Sequence, residues 1–134
     1  LDKVEQHGET RRRQFAAYDE AVAELPGITA LTRDDRDVHA LHLYVVRVDP
    51  GSAGATRDEY QCALAEENIA TSIHFLPVHK LTFYRERFPD QPALPVAERA
   101  GDEILSLPLS PAHSDDDIAD AVAALRRVHD RFTG

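Results

Sequence analysis

The sequence of 134 residues contains no methionine and a single cysteine. Because position 1 is not methionine, we expect the chain to have been processed or to be a piece of a longer protein. Cys62 alone cannot form an internal disulfide, which is typical of a reducing compartment, so we expect a cytoplasmic protein. Apolar runs of about 18 residues, the length needed to cross a membrane, are missing, and the polar first ten residues are unlike a signal peptide. A membrane is therefore not an expected partner.

Positive charge is also scarce. The sequence holds 15 Lys and Arg residues against 24 Asp and Glu residues, a formal net charge of −9. A field of this sign repels a phosphate backbone, so nucleic acid is not an expected partner either. The six glycines form no phosphate-binding loop, because the GSAG segment at residues 51–54 fits neither GxGxxG nor the P-loop and is typical of a turn.

The spacing of apolar residues predicts one domain over residues 1–134, in which helices alternate with a few short strands. Helices are predicted at residues 2–25, at 56–67, after 95 and at 114–131, and extended segments at 28–31, 41–48, 69–73 and 105–109. The sequence also carries helix-end signals: Thr56 with Glu59 and Ser114 with Asp117 predict capped helix starts, and Asn68 suits the left-handed position after a helix. Val96 is predicted to face inward. The 41–48 segment is apolar on both faces, which places it at the centre of the sheet. This order predicts an α/β (α+β) fold: a two-layer sandwich with a small mixed or antiparallel sheet and helices packed on one face.

The stretch IATSIHFLPVHKL, residues 69–81, organises the functional prediction. A β-prone segment runs into His74 and is stopped by Pro77, which would bring an imidazole to the edge of the sheet. Ligands of α/β proteins often bind at such edges. A polar residue that merely ends a core strand is the alternative, and spacing alone leaves it open. A second histidine, His79, follows five residues later.

Other candidate residues carry weaker signals. A zinc site needs three or four converging ligands, and His39 and His42, three residues apart at a loop-to-strand junction, would point to opposite faces. Cys62 lies within a predicted helix and is interpreted as a small buried hydrophobe rather than a nucleophile. A free-standing α/β regulatory module that binds a ligand or a metal through His39, His42, His74 and His79 remains the alternative function.

Five segments, in this order, resemble the C-terminal small domain of DegT/StrS-type sugar aminotransferases, which are pyridoxal-phosphate (PLP) enzymes of the aspartate aminotransferase fold. Nearly the whole chain takes part in the resemblance, and its most specific elements are HLYVVRV, IHFLPVH and ILSLPLSP. The five segments are RRRQFAAYDEAVAELPGI, HALHLYVVRVD, TRDEYQCALAEENIATSIHFLPVHK, LPVAERAGDEILSLPLSP and the final acidic-capped helix.

The resemblance implies transfer of an amino group from an amino acid, commonly glutamate, to a keto group on a nucleotide-linked sugar by a homodimeric enzyme. In this family the lysine that forms a Schiff base with PLP lies in a large N-terminal domain. Lys3 and Lys80 fall in no matching motif. The resemblance therefore implies a domain that has no catalytic or cofactor-binding residue of its own, is inactive alone, and is joined to the missing large domain through the leading helix at residues 1–25.

The resemblance also suggests three substrate-binding residues. His74 matches the family histidine that approaches the substrate region, often across a dimer interface. Phe75 stands where the family usually has tyrosine, so a hydroxyl contact would be lost there. His79 matches the second family histidine, for which a structural and a substrate-proximal role both remain open. His42 matches a histidine of the central strand and is expected to be packed.

Overall fold

A computed structural model describes residues 2–34 and 36–134 of the chain. Within these ranges six helices, one 3-10 turn and three strands follow one another. In chain order they are α1 Val4–Ala23, β1 Ile28–Ala30, β2 Tyr44–Val48, α2 Pro50–Ala53, α3 Arg57–Glu66, the 3-10 turn Val78–Lys80, α4 Thr82–Arg87, α5 Pro95–Glu103, β3 Ile104–Leu107 and α6 Asp115–Thr133. In the described part of the chain, no helix is both long and apolar enough to cross a bilayer.

The three strands form an antiparallel sheet in the order β1-β2-β3. The central position predicted for the strand HLYVVRV is confirmed. Along β2 the side chains of Tyr44, Val46 and Val48 are buried, whereas those of Val45 and Arg47 are half-buried, as the alternation of a strand requires. The predicted α/β fold with a small antiparallel sheet and packed helices is confirmed.

The main core lies between the sheet and the helices α1, α3 and α6. Helix α6 contacts both α1 and α3, while α1 contacts β1 and α3 contacts β3. Three tyrosines are fully buried in the core, and each hydroxyl donates a hydrogen bond: Tyr18 to Pro108 O (2.8 Å), Tyr44 to Asp19 Oδ1 (2.7 Å) and Tyr60 to Ala53 O (2.9 Å). A buried hydroxyl without a partner would cost about 1–3 kcal/mol. The tyrosines therefore supply both apolar area and fixed connections between distant segments.

Local helix signals from the sequence are confirmed. At the start of α3, Thr56 Oγ1 accepts from Glu59 N at 3.3 Å and Glu59 Oε2 accepts from Thr56 N at 2.7 Å. Ser114 and Asp117 form the same capping box before α6. After α3, Asn68 adopts the left-handed conformation (φ 62°) that was predicted for it.

The predicted strand at residues 69–73 is wrong as a strand: it is reduced to one bridge between Ser72 and Ser106. Continued antiparallel pairing would need amide hydrogens two residues to either side of Ser106. Pro108 has none, and the amide of Ile104 already donates to Ala100 O at the end of α5. The ladder therefore cannot extend past a single pair.

Other details also differ from the prediction. The predicted turn after Asp49 is a short helix, α2, whose first amides are capped by the Asp49 carboxylate. Cys62 and His42 are exposed rather than buried and packed, and Val96, predicted to face inward, is 72% exposed. For Cys62 and Val96, which lie in helices α3 and α5, the sequence pattern did not decide which helix face is buried, and tertiary packing did. The leading helix is also shorter at both ends than the predicted residues 2–25.

Candidate functional site

His74 lies at the β3 edge of the sheet, two residues beyond the bridge that anchors it. Ser72 N donates to Ser106 O at 3.1 Å and Ser106 N donates to Ser72 O at 2.8 Å. This pair fixes the direction of the chain entering His74, whose Nδ1 lies 2.9 Å from Ser106 Oγ. Ser106 is only 4% exposed, while His74 is half-buried. One side of the imidazole is thus held by the sheet.

The segment that follows His74 is seated on α5, which contacts β2 at the sheet. A Cβ built on Gly101 would lie 2.4 Å from both Cγ and Cδ of Pro77, so the proline ring rests directly on the helix backbone. Lys80 Nζ donates to Asp102 Oδ1 at 2.8 Å. These contacts tie the chain after His74 to α5 at two points.

His79 faces the same helix. Its side chain is 15% exposed, and Nε2 lies 3.4 Å from Glu98 Oε1. Nε2 is buried and forms no hydrogen bond of acceptable geometry, so the contact with Glu98 is electrostatic at most. Gln91 Nε2 donates to the carbonyl oxygen of His79 at 2.9 Å. Within the described residues, His79 thus contacts Glu98 and Gln91 of the same chain.

Phe75, unlike His74 and His79, is largely exposed, at 77%. It begins an unusually apolar piece of surface, which we call the apolar segment, residues 75–96. Nine exposed large hydrophobic residues fall within it: Phe75, Leu76, Val78, Leu81, Phe83, Tyr84, Phe88, Leu94 and Val96. Exposed apolar area of this concentration is typical of an interaction surface.

His39 and His42 do not join this site. His39 Nδ1 accepts from Leu41 N at 3.0 Å, in a turn where Leu41 has a positive φ of 50°, so the ring serves the local backbone. His42 is exposed. Over residues 2–34 and 36–134, no three His, Cys, Asp or Glu side chains converge in a way that could hold a metal ion. The metal-binding version of the alternative function therefore has no support there.

Sequence reasoning missed two residues of the site, Ser106 and Gly101. Ser106 is a lone polar residue between two leucines of a strand, and Leu105 and Leu107 are both buried. A polar side chain in that setting needs a hydrogen-bond partner, so the segment LSL carried a usable signal. Gly101 carried none, because its contact with Pro77 joins segments that are distant in the chain.

Beneath the site, the sheet and α5 are joined by charged groups. Arg47 of β2 forms an ion pair with Glu103 at the end of α5. Arg57 of α3 is 5% exposed and donates from Nη1 to Ile104 O at 2.9 Å and from Nε to Asp58 Oδ1 at 2.6 Å. A buried guanidinium with both partners in place fixes the junction between α5 and β3. Gly101 lies in α5 just before this junction, and Ser106 lies in β3 just after it.

The model of one protein family matches residues 1–126 of the chain, and the family is described as DegT/DnrJ/EryC1/StrS aminotransferases. The chain belongs to the DegT/DnrJ/EryC1/StrS aminotransferase family. The resemblance drawn from the sequence is thus confirmed, and the family is one of sugar aminotransferases that depend on PLP.

Similar proteins agree with the DegT/DnrJ/EryC1/StrS assignment. The spore coat polysaccharide biosynthesis protein SpsC of Bacillus subtilis (strain 168) is 44% identical over 122 residues, which cover 88% of this chain and 31% of SpsC. DesI, solved in the presence of its TDP-sugar product, is 34% identical with a TM-score of 0.85 and coverage of 98% and 33%. Spr1654 from Streptococcus pneumoniae, solved in a PLP-form, is 25% identical with a TM-score of 0.85 and coverage of 100% and 34%. The chain spans about a third of the length of these relatives.

Proposed function

We propose that this chain is the C-terminal small domain of a PLP-dependent aminotransferase that transfers an amino group from an amino acid, in our proposal glutamate, to a keto sugar nucleotide. Residues 1–134 form one domain in this proposal, and the leading helix at residues 1–25 joins it to a large N-terminal domain. The observation that carries the proposal is the family match over residues 1–126 by a chain that spans a third of its relatives.

The residues of this chain do not fit PLP. A Schiff base needs a lysine whose amine is free to react and a pocket that holds the cofactor ring. Lys80 donates to Asp102 at the surface, and Lys3 is exposed before the first turn of α1. Both lysines are exposed, and neither is therefore a desolvated amine of the kind that a Schiff base uses. The cofactor and its lysine are therefore assigned to the large domain, and the chain alone is proposed to be inactive.

The proposed contribution of this domain is substrate binding by the segment that carries His74, Phe75 and His79. His74 keeps one ring nitrogen on Ser106 and has its other nitrogen free of hydrogen bonds within the described residues. Phe75 is exposed next to it, with ring centroids 5.2 Å apart. The nucleotide-sugar class of the substrate is supported by the TDP-sugar product of DesI. His79 is proposed to act through the position of this segment on α5.

We also propose that the enzyme is a homodimer in the cytoplasm. The support for the dimer is the apolar segment, which would face solvent in an isolated domain. A partner subunit that covers this segment would lie close to His74, because Phe75 is the first residue of the segment. The substrate site would then be completed between subunits.

Replacement of His74 in the complete gene product tests the proposal. For His74→Ala we expect the KM for the sugar nucleotide to rise about 10- to 100-fold, because this is the effect of losing one hydrogen bond to a charged group. The absorbance band of the internal aldimine should be unchanged, because the cofactor is held elsewhere. His42→Ala, at an exposed histidine that forms no hydrogen bond within the described residues, is the control. Unchanged kcat and KM in His74→Ala would remove His74 from the site.

A further inference from the structure

We propose that Ser106 is a positioning residue that fixes which nitrogen of His74 carries the proton. Its hydroxyl donates to Nδ1, so the neutral imidazole is protonated at Nε2 and offers its ligand an N–H donor. The assignment of that ligand as a sugar nucleotide rests on the proposed function, whereas the protonation pattern rests on the structure of this domain alone.

The argument begins with the hydroxyl proton of Ser106. The residue is 4% exposed, and both of its backbone polar groups are already paired with Ser72. In the described residues, Nδ1 of His74 at 2.9 Å is the one hydrogen-bond partner of the hydroxyl. A buried hydroxyl proton needs an acceptor, and an unprotonated Nδ1 supplies it. The reverse arrangement, with Nδ1 as donor, would leave the hydroxyl proton of Ser106 without an acceptor.

The chain on both sides of His74 is anchored, so the ring stays within reach of Ser106. The bridge between Ser72 and Ser106 fixes the chain two residues before the ring, and the contact between Pro77 and Gly101 fixes it three residues after the ring. Rotation of the imidazole would also break the hydrogen bond with Ser106. Nδ1 therefore faces the sheet, and Nε2, on the opposite side of the ring, faces away from it.

A proton held on Nε2 determines what His74 can do. An N–H group donates a hydrogen bond but has no lone pair with which to accept a proton. The ligand atom that meets His74 is then a hydrogen-bond acceptor, such as an oxygen atom. In this arrangement His74 binds and orients its ligand, and it does not act as a general base through Nε2.

Long-range ¹H–¹⁵N NMR of the histidine-labelled chain reads the protonation pattern directly. Near pH 8.5, about two units above the ordinary histidine pKa, we expect Nδ1 of His74 in the unprotonated range and Nε2 in the protonated range. Ser106→Ala should move both signals toward those of free histidine. Ser72→Ala, which removes an exposed hydroxyl from the same bridge, should leave them in place. A proton found on Nδ1 of the unaltered chain would overturn the proposal, and this measurement needs no variant. Unchanged signals in Ser106→Ala would overturn it as well.

Kinetics of the complete gene product separate this inference from the proposed function. Ser106→Ala should raise the KM for the sugar nucleotide several-fold with little change in kcat and in the cofactor absorbance band. If the NMR signals respond and KM does not, the positioning role stands and the substrate-binding role of His74 fails. If His74→Ala changes KM but Nδ1 carries the proton, the substrate-binding role stands and the inference fails.

Discussion

The contact between Pro77 and Gly101 allows a sharp test of how the His74 segment is held. In Gly101→Ala the new Cβ would lie 2.4 Å from two ring carbons of Pro77, whereas carbon atoms pack best at about 3.5–4.0 Å. The segment and α5 would have to separate by about 1 Å. Overpacking of this kind costs about 1–3 kcal/mol, and the higher helix propensity of alanine offsets up to about 1 kcal/mol of it.

Gly8 provides a matched control in the same chain. It also lies inside a helix, α1, but the nearest atom to an added Cβ is Arg12 Nη2 at 3.5 Å, an ordinary contact. Gly8→Ala should therefore stabilise the chain by about 0.5–1 kcal/mol through propensity alone. Gly101→Ala should be less stable than Gly8→Ala by about 1–3 kcal/mol, the overpacking term that Gly8 lacks.

Urea unfolding followed by circular dichroism measures both variants. We expect the midpoint to rise for Gly8→Ala and to stay level or fall for Gly101→Ala, with the slope m unchanged in both. The NMR signals of the His74 ring should shift in Gly101→Ala and not in Gly8→Ala. Equal stabilisation of the two variants would refute the reasoning, because Pro77 would then not be seated on Gly101.

Two further predictions concern stability and association. Burial lowers the pKa of His129 below its usual value of 6.5, against a smaller opposing effect of Asp130, while its Nδ1 lies 2.8 Å from the Tyr60 hydroxyl. Between the two pKa values the folded state thus binds fewer protons than the unfolded state. The contribution of His129 to the free energy of unfolding should therefore be fully present above about pH 6.5, fall as the pH drops toward the lower folded pKa, and level off below it. Urea titrations from pH 8 to 5 should show a smaller loss of unfolding free energy in His129→Gln than in the unaltered chain. An equal loss in both proteins would contradict this assignment to His129. The isolated chain should also self-associate through the apolar segment, which sedimentation velocity would detect. The variant Phe83→Ser should associate less strongly, and an unaltered chain that stays monomeric at the highest concentrations would contradict the prediction.

The features that the sequence predicted correctly depend on neighbouring residues. A capping box requires only Thr56 and Glu59 at the right spacing, and the left-handed Asn68 follows from the end of its own helix. The central strand β2 is recognisable because its apolar alternation continues over both faces. Such signals are complete within a few residues and need no knowledge of the rest of the fold.

The features that the sequence did not predict depend on distant residues. Whether residues 69–73 form a strand is decided by Pro108 and by the Ile104 amide, more than 30 residues away. His74 itself was predicted from the order of a β-prone segment, histidine and proline, but its partner Ser106 belongs to another element. Its role in substrate binding remains a prediction.

The four tyrosines give this chain two separate optical reporters. Because the chain has four tyrosines and no tryptophan, tyrosine dominates its near-ultraviolet signal at wavelengths longer than those at which phenylalanine absorbs. Tyr18, Tyr44 and Tyr60 lie in the core, whereas Tyr84 is 38% exposed in the apolar segment. Near-ultraviolet dichroism should therefore follow closure of the core, while nitration of Tyr84 should follow whether another polypeptide covers the segment.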